Sequence, residues 1–226
     1  MREENGSFCK YMEDACLMSE ADCTRVFISE DNLDGYIEYY NEAKKRGLDT
    51  AGFALAIADC YLDMGKRELA EDYYGRVFLP GFDLSRFGYA ESLLSYLELI
   101  SSSKKDLLRT LIESSPKAEK YYSDLPKTYL MLIAELEGAK EEYIGFTDQG
   151  IELTRSIVSR DYESGESDTA RILCELLSIK LEYYINRGKT DIAERVKAEL
   201  LSVIGDYGCY SYYTAIAVIE SRASDV

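Results

Sequence analysis

Apolar positions recur at three- and four-residue steps along most of the chain, and glycine, proline and serine clusters cut that rhythm into short segments. Tyr36, Ile37, Tyr40 and Ala43 predict a helix from about Leu33 to Arg46. Asp31 or Asn32 starts it, and Lys44-Lys45-Arg46 followed by Gly47 ends it, cations and glycine both suiting a helix C-terminus. Asp49 or Thr50 opens the next helix, Ala51–Met64, which is dense in small residues. Gly65 breaks it, Arg67–Leu79 follows, and Pro80-Gly81 stops the chain again. Before this, Phe8, Tyr11, Met12, Ala15 and Cys16 predict a first amphipathic helix, and Ser19–Glu30 a second.

Further on, the pattern predicts an unbroken helix from Asp83 to about Ile100, a turn at Ser101–Ser103, and a short helix Lys104–Glu113. Ser115-Pro116 starts another segment, with one or two turns over Lys117–Tyr122. Pro126–Glu137 reads as a helix, Gly138 as a turn, and Ala139–Arg160 as a long helix with a kink or break expected at Gly145 or Gly150. Asp161–Asp168 is the clearest loop and the expected site of proteolytic nicking. Thr169–Arg187 and Asp191–Ile204 form a helix pair around Gly188. Gly205–Gly208 is a turn, and Cys209–Ser221 a closing helix.

The helix pairs repeat. A shift of 34 residues brings Tyr39-Tyr40 onto Tyr73-Tyr74, Gly47-Leu48-Asp49 onto Gly81-Phe82-Asp83, and Ala43 onto Val77. A fixed period of this size marks a helical solenoid, in which each pair buries its apolar face against the next. In-phase copies run over about 17–50, 51–84 and 85–115. Residues 117–160 lose the period, 169–204 form a degenerate copy, and 209–221 close the array. The whole chain, 1–226, therefore reads as a single helical-repeat domain of the all-α class.

Residues 51–84 resemble the tetratricopeptide repeat. Its signature slots hold Ile57, Ala58, Tyr61, Gly65, Ala70, Tyr74 and Val77. The preceding copy offers Cys23, Thr24, Phe27, Asp31, Tyr36, Tyr40 and Ala43, with Asp31 in place of the turn glycine and Tyr36 in place of a small residue. Tyr184, Gly188 and Ala193 match the tyrosine, glycine and alanine slots of the late pair, whereas Lys180 and Leu181 do not match theirs. The run RGLDTAGFA is also similar to the related Sel1-like repeats.

The resemblance implies a right-handed α-α superhelix whose concave groove is lined by the first helix of each pair. Carried over slot by slot, it implies a partner-binding surface at Leu55, Asp59, Leu62, Asp63, Tyr89 and Tyr96. The same slots add Met18, Ala21, Arg25, Ile28 and Ser29 from the first copy, and Gly52, Arg86, Leu93 and Leu97. Chaperone-binding members clamp a C-terminal carboxylate with Lys and Asn. Leu55 and Asp59 stand there, and an acidic side chain repels a carboxylate, so that clamp is not expected.

Charge narrows the partners. The net charge is −16, the acid is spread over both halves, and the sequence pI is about 4.5. Nucleic acid and anionic membranes need a basic footprint and are not expected partners. A basic or apolar protein segment fits, because an acidic surface attracts it from a distance. Solubility alone also accounts for such a surface. The N-terminal run MREENGSF lacks an apolar core for a secretory signal, and no uncharged run reaches the ~20 residues of a membrane span, so a cytoplasmic location is expected.

Chemistry has little footing. The chain has no histidine, no GxSxG, no HExxH and no phosphate-cradling glycine loop, which argues for a non-enzymatic protein with no cofactor and no metal. Cys9, Cys16 and Cys23 recur every seven residues, yet without CxxC pairs or histidine they read with Cys60, Cys174 and Cys209 as buried thiols. Residues 30–41 imitate a calcium loop through Glu30, Asn32, Asp34, Gly35, Ile37 and Glu38. However, Glu30 stands where Asp is needed first and Asn41 where a bidentate Glu is needed last. The twenty tyrosines read as inter-helix packing rather than a base-stacking platform, since no basic residues surround them. Tyr210, Tyr212 and Tyr213 support a second reading, a self-associating subunit that forms a homodimer. A ligand-sensing regulator is a third.

Overall fold

A computed structural model describes residues 28–84, 88–100, 103–115, 124–136, 140–161 and 168–224. The expected helices before residue 28 lie outside these residues. So do Cys9, Cys16 and Cys23, the groove slots Met18, Ala21, Arg25 and Arg86, the segment 117–122, and residues 162–167 of the expected loop. Every described element is a helix. In chain order they are α1 (Leu33–Lys45), α2 (Ala51–Asp63), α3 (Arg67–Phe78), α4 (Ala90–Leu99) and α5 (Lys104–Ser114). They continue as α6 (Leu125–Glu135), α7 (Lys140–Asp161), α8 (Asp168–Ile185), α9 (Thr190–Tyr207) and α10 (Tyr212–Ser224). None of them is long and apolar enough to cross a membrane.

The chain divides into two compact units. The first comprises residues 1–82 and 89–104, the second 83–88 and 105–226. In the first unit consecutive helices pack on one another: α1 on α2, α2 on α3 and α3 on α4, with α4 also reaching α2. Its core is aromatic. Tyr40, Phe53, Tyr73, Tyr74, Phe78 and Tyr96 are all buried, among small residues such as Ala54, Ala58 and Ala70. A fully buried aromatic ring removes about 150–250 Å² from water, and alanines opposite leave room for it. Gly65 takes φ +73°, a left-handed conformation that costs an L-residue about 1–2 kcal/mol, and there the chain reverses from α2 into α3.

In the second unit α8 is the central element, packing against α6, α7, α9 and α10. Its buried face is aliphatic, with Leu173, Leu176, Leu177 and Leu181 beside Ala170 and Cys174. Leu132 and Ile133 of α6, and Val196, Leu200 and Ile204 of α9, are buried as well.

Three expectations need correction. The helix read as running from Asp83 to Ile100 begins only at Ala90. Gly88 takes φ +79°, and Tyr89 turns its ring edge-on to Phe82, with centroids 5.5 Å apart. The break expected at Gly145 or Gly150 is absent, since α7 runs through both. The intrinsic cost of Gly150 is offset by packing: a Cβ there would meet Tyr129 Cβ at 3.3 Å and Leu176 Cδ1 at 3.4 Å. Its missing side chain is what lets those neighbours come close. The turn expected over Gly205–Gly208 is shorter, because α9 carries on through Gly205 to Tyr207 and ends at Gly208, φ +71°.

Candidate functional site

The surface implied by the repeat slots is spread over α2 and the start of the chain around α4. Leu55, Tyr89 and Tyr96 are buried, Leu62 is half-buried, and Asp63 is exposed at the last position of α2. Asp59 sits between these extremes, half-buried one turn before Asp63. The Tyr74 hydroxyl of α3 donates a hydrogen bond to its Oδ1. Ser92 Oγ of α4 lies 3.3 Å from Oδ2. One carboxylate thus joins three helices, as a partly buried acid requires if it is not to lose its hydration uncompensated. The Tyr74 phenol is held well above its ordinary range, first by burial and then by this bond to an anion.

Other buried groups are likewise kept neutral. Burial pushes the Cys60 thiol up, and burial together with Cys209 pushes Cys174 up to about 12. Such thiols behave as small hydrophobes rather than nucleophiles. The calcium-like run 30–41 does not form a loop, because α1 begins at Leu33 and takes Asp34, Gly35, Ile37 and Glu38 into its first turns. Asn32 Oδ1 accepts the Ser29 N–H at 2.8 Å in the turn before α1, and Asp49 Oδ1 accepts the N–H of Ala51, the first residue of α2, at 3.0 Å.

A pocket of about 440 Å³ opens between α3 and α4. Its α3 wall carries Glu68, Glu71, Asp72 and Arg76, all exposed, with Gly75 at the floor. Leu79 borders it and is 66% exposed, and Tyr96 forms the opposite wall. Arg76 is already engaged: it pairs with Asp72 and lies over the Tyr73 ring, 4.1 Å from its centroid, and over Tyr40 at 5.7 Å. Glycine at 75 lets α4 close in, since a Cβ there would meet the Tyr96 hydroxyl at 3.4 Å and Leu79 Cδ1 at 3.3 Å. Among the described residues that the repeat slots named, only Tyr96 lines this pocket. The remaining lining was legible in principle. Glu68, Glu71 and Asp72 recur at three- and four-residue steps on one helix face, and a glycine inside EDYYGRVF signals a close approach.

In the second unit, Tyr210 and Tyr213 are 65% and 48% exposed and stacked on each other, with ring planes 11° apart. Tyr212 is half-buried, and burial pushes its phenol up to about 12.

No family model, no curated protein and no solved structure matches this chain.

Proposed function

We infer that the chain is a non-enzymatic protein-interaction module of tetratricopeptide-like, right-handed superhelical build, working in the cytoplasm. It holds a basic or apolar segment of a partner protein against its first unit. The supporting observation is the concentration of exposed acid, Asp63, Glu68, Glu71 and Asp72, over an aromatic layer on α2 and α3. Opposite charge brings the partner in, and the aromatic and aliphatic edges give it something to bury against. Asp59 acts as an internal strut, bound by Tyr74 and Ser92, while Asp63 faces the partner.

Fluorescence anisotropy tests the reading. A labelled peptide alternating arginine and leucine should bind, its glutamate-for-arginine counterpart should not, and added salt should weaken binding. Asp63→Lys should lower the affinity several-fold without unfolding the protein, since Asp63 is exposed. Equal binding of both peptides, or no effect of Asp63→Lys, would overturn it.

A second reading has its own support in the exposed, stacked Tyr210 and Tyr213 and in Val218, 41% exposed on α10. Such a patch suits a homodimer contact, because tyrosine adds large area at low entropy cost. Sedimentation velocity decides it. A mass that rises with concentration and returns to monomer in Tyr210→Ser/Tyr213→Ser supports self-association, and a monomer at all concentrations removes it.

A further inference from the structure

The pocket between α3 and α4 combines three features that together select a ligand. The first is charge left over on its wall. Asp72 is paired with Arg76, whereas Glu68 and Glu71 have no ion pair among the described residues. The second is a tyrosine hydroxyl on the pocket wall with no partner among the described residues. Tyr96 is 3% exposed, its hydroxyl faces Gly75 on the pocket floor, and it makes no hydrogen bond among the described residues. Burial fixes the ring in place, and its hydroxyl keeps some contact with solvent, so it offers a positioned, unclaimed acceptor to a donor that enters the pocket. The third is the exposed Leu79 at the rim, an apolar surface beside the carboxylates.

A small metal ion does not fit this arrangement. Among the described residues no three acids come together closely enough to hold one. The ligand must instead be an extended cation that spreads its donors over separated acceptors and carries an apolar stem. A guanidinium does this: five N–H donors lie in one plane, and three methylenes precede them. An ammonium concentrates its charge at a point and meets fewer of the acceptors. The volume, about 440 Å³, lies within the range of small-ligand pockets and is ample for one such side chain.

The geometry points to this pocket as the anchor for an arginine side chain of the partner segment, its guanidinium shared by Glu68, Glu71 and the Tyr96 hydroxyl and its stem against Leu79. The inference rests on the interaction-module reading and deepens it. In the complex Glu71 and Glu68 accept charge-assisted bonds, and Tyr96 accepts an N–H through its oxygen. Burial first, and then the nearby Glu71 charge, hold the Tyr96 phenol above its ordinary range, which keeps it neutral at any physiological pH.

The probe is N-acetyl-arginine amide, with N-acetyl-lysine amide and N-acetyl-citrulline amide as controls, titrated into the full chain and followed by amide NMR shifts. Arginine amide should shift the Gly75 and Leu79 resonances saturably, lysine amide less, and citrulline amide, which has the shape without the charge, not at all. Glu71→Gln, on an exposed position, should weaken the response at least about tenfold, and Tyr96→Phe about fivefold. Shifts scattered over all acidic faces, an equal response to citrulline amide, or an unaffected Glu71→Gln would overturn the site. The two proposals fail separately. If the basic peptide binds and Asp63→Lys weakens it while arginine amide leaves Gly75 unmoved, the pocket is wrong and the module reading stands. If arginine amide moves Gly75 but the basic peptide does not bind, the pocket takes a guanidinium, while the module reading, and with it the partner segment as the source, falls.

Discussion

The helix pairs α2–α3 and α8–α9 turn the same corner. In the first, Gly65 takes φ +73° and Lys66 φ −86°, ψ 65°; in the second, Gly188 takes φ +64° and Lys189 φ −86°, ψ 61°. The Lys66 N–H donates to Tyr61 O at 2.8 Å, and the Lys189 N–H to Tyr184 O at 3.0 Å. In both, an alanine four residues past that lysine, Ala70 or Ala193, is buried where the helices meet. Beyond the corner the two diverge. The first unit fills its interior with Tyr74, Phe78, Tyr89 and Tyr96, whereas the second relies on leucine, isoleucine and valine, with Tyr129 among its buried aromatics. The ion pairs described in the first unit stay within one helix and its cap, as in Glu42–Arg46 and Asp72–Arg76. The second has local pairs too, such as Arg109–Asp106 and Arg171–Asp168, and adds pairs that cross between helices: Lys180 to Asp148, Arg155 to Glu199, Lys197 to Glu220 and Arg222 to Glu182. A shared turn therefore fixes how a pair reverses, and the side chains beyond it decide what holds the stack together.

The sharpest way to break this comparison is to empty the aromatic interior. Phe78 is 1% exposed and stacks on Tyr96 at 5.7 Å, with planes 17° apart. Phe78→Ala should cost about 3–5 kcal/mol, read by urea denaturation and by hydrogen exchange in α2 and α3. A loss below about 1 kcal/mol would mean that the aromatic layer is not what holds the first unit.

The shared corner makes a second test. Gly65→Ala and Gly188→Ala should each cost about 1–2 kcal/mol, because both glycines sit at positive φ with open space where a Cβ would go. Equal costs would show that backbone conformation alone sets the penalty. A markedly larger cost at one turn would show that the two are not equivalent.

These corners were also the most legible part of the sequence. Gly47, Gly65 and Pro80 bracket α1 to α3, so their ends fall within a residue of expectation. Where a contact distant in sequence overrides a local signal, the pattern misleads. Gly150 reads as a break because Tyr129 and Leu176, whose approach explains it, lie far along the chain. The candidate site was half legible for the same reason. Asp59 and Asp63 stand one turn apart on α2, yet their fates separate because Tyr74 and Ser92, fifteen and thirty-three residues on, reach only Asp59. Tyr96 was visible as a slot residue, but the pocket it faces depends on how closely α4 approaches Gly75.

Alkaline pH probes both units, through Tyr74 and Tyr96 in the first and through Tyr212 in the second. The folded-state pKa of Tyr212, about 12, lies above the ordinary value of 10.0, so the folded state favours the neutral phenol. That contribution is complete below pH 10 and is lost as pH rises through 10 toward 12, where the unfolded chain ionises and the folded one does not. Tyr212→Phe should flatten the decline in this window, measured as denaturation midpoints against pH, and a steeper decline would reverse the assignment.

The smallest effect expected comes from the cross-helix ion pairs. Lys180 Nζ lies 2.7 Å from Asp148 Oδ1, with the lysine 23% and the aspartate 49% exposed. Solvent screens a pair of this exposure, and holding two long side chains in register costs entropy, so Lys180→Met should cost only about 0.2–1 kcal/mol. The methionine keeps most of the apolar stem, which separates the charge from the packing. High salt should weaken wild type toward the variant and leave the variant nearly unchanged. A loss well above this range that persists in salt would mean that Lys180 acts through its stem, and the second unit would then depend on packing as much as the first.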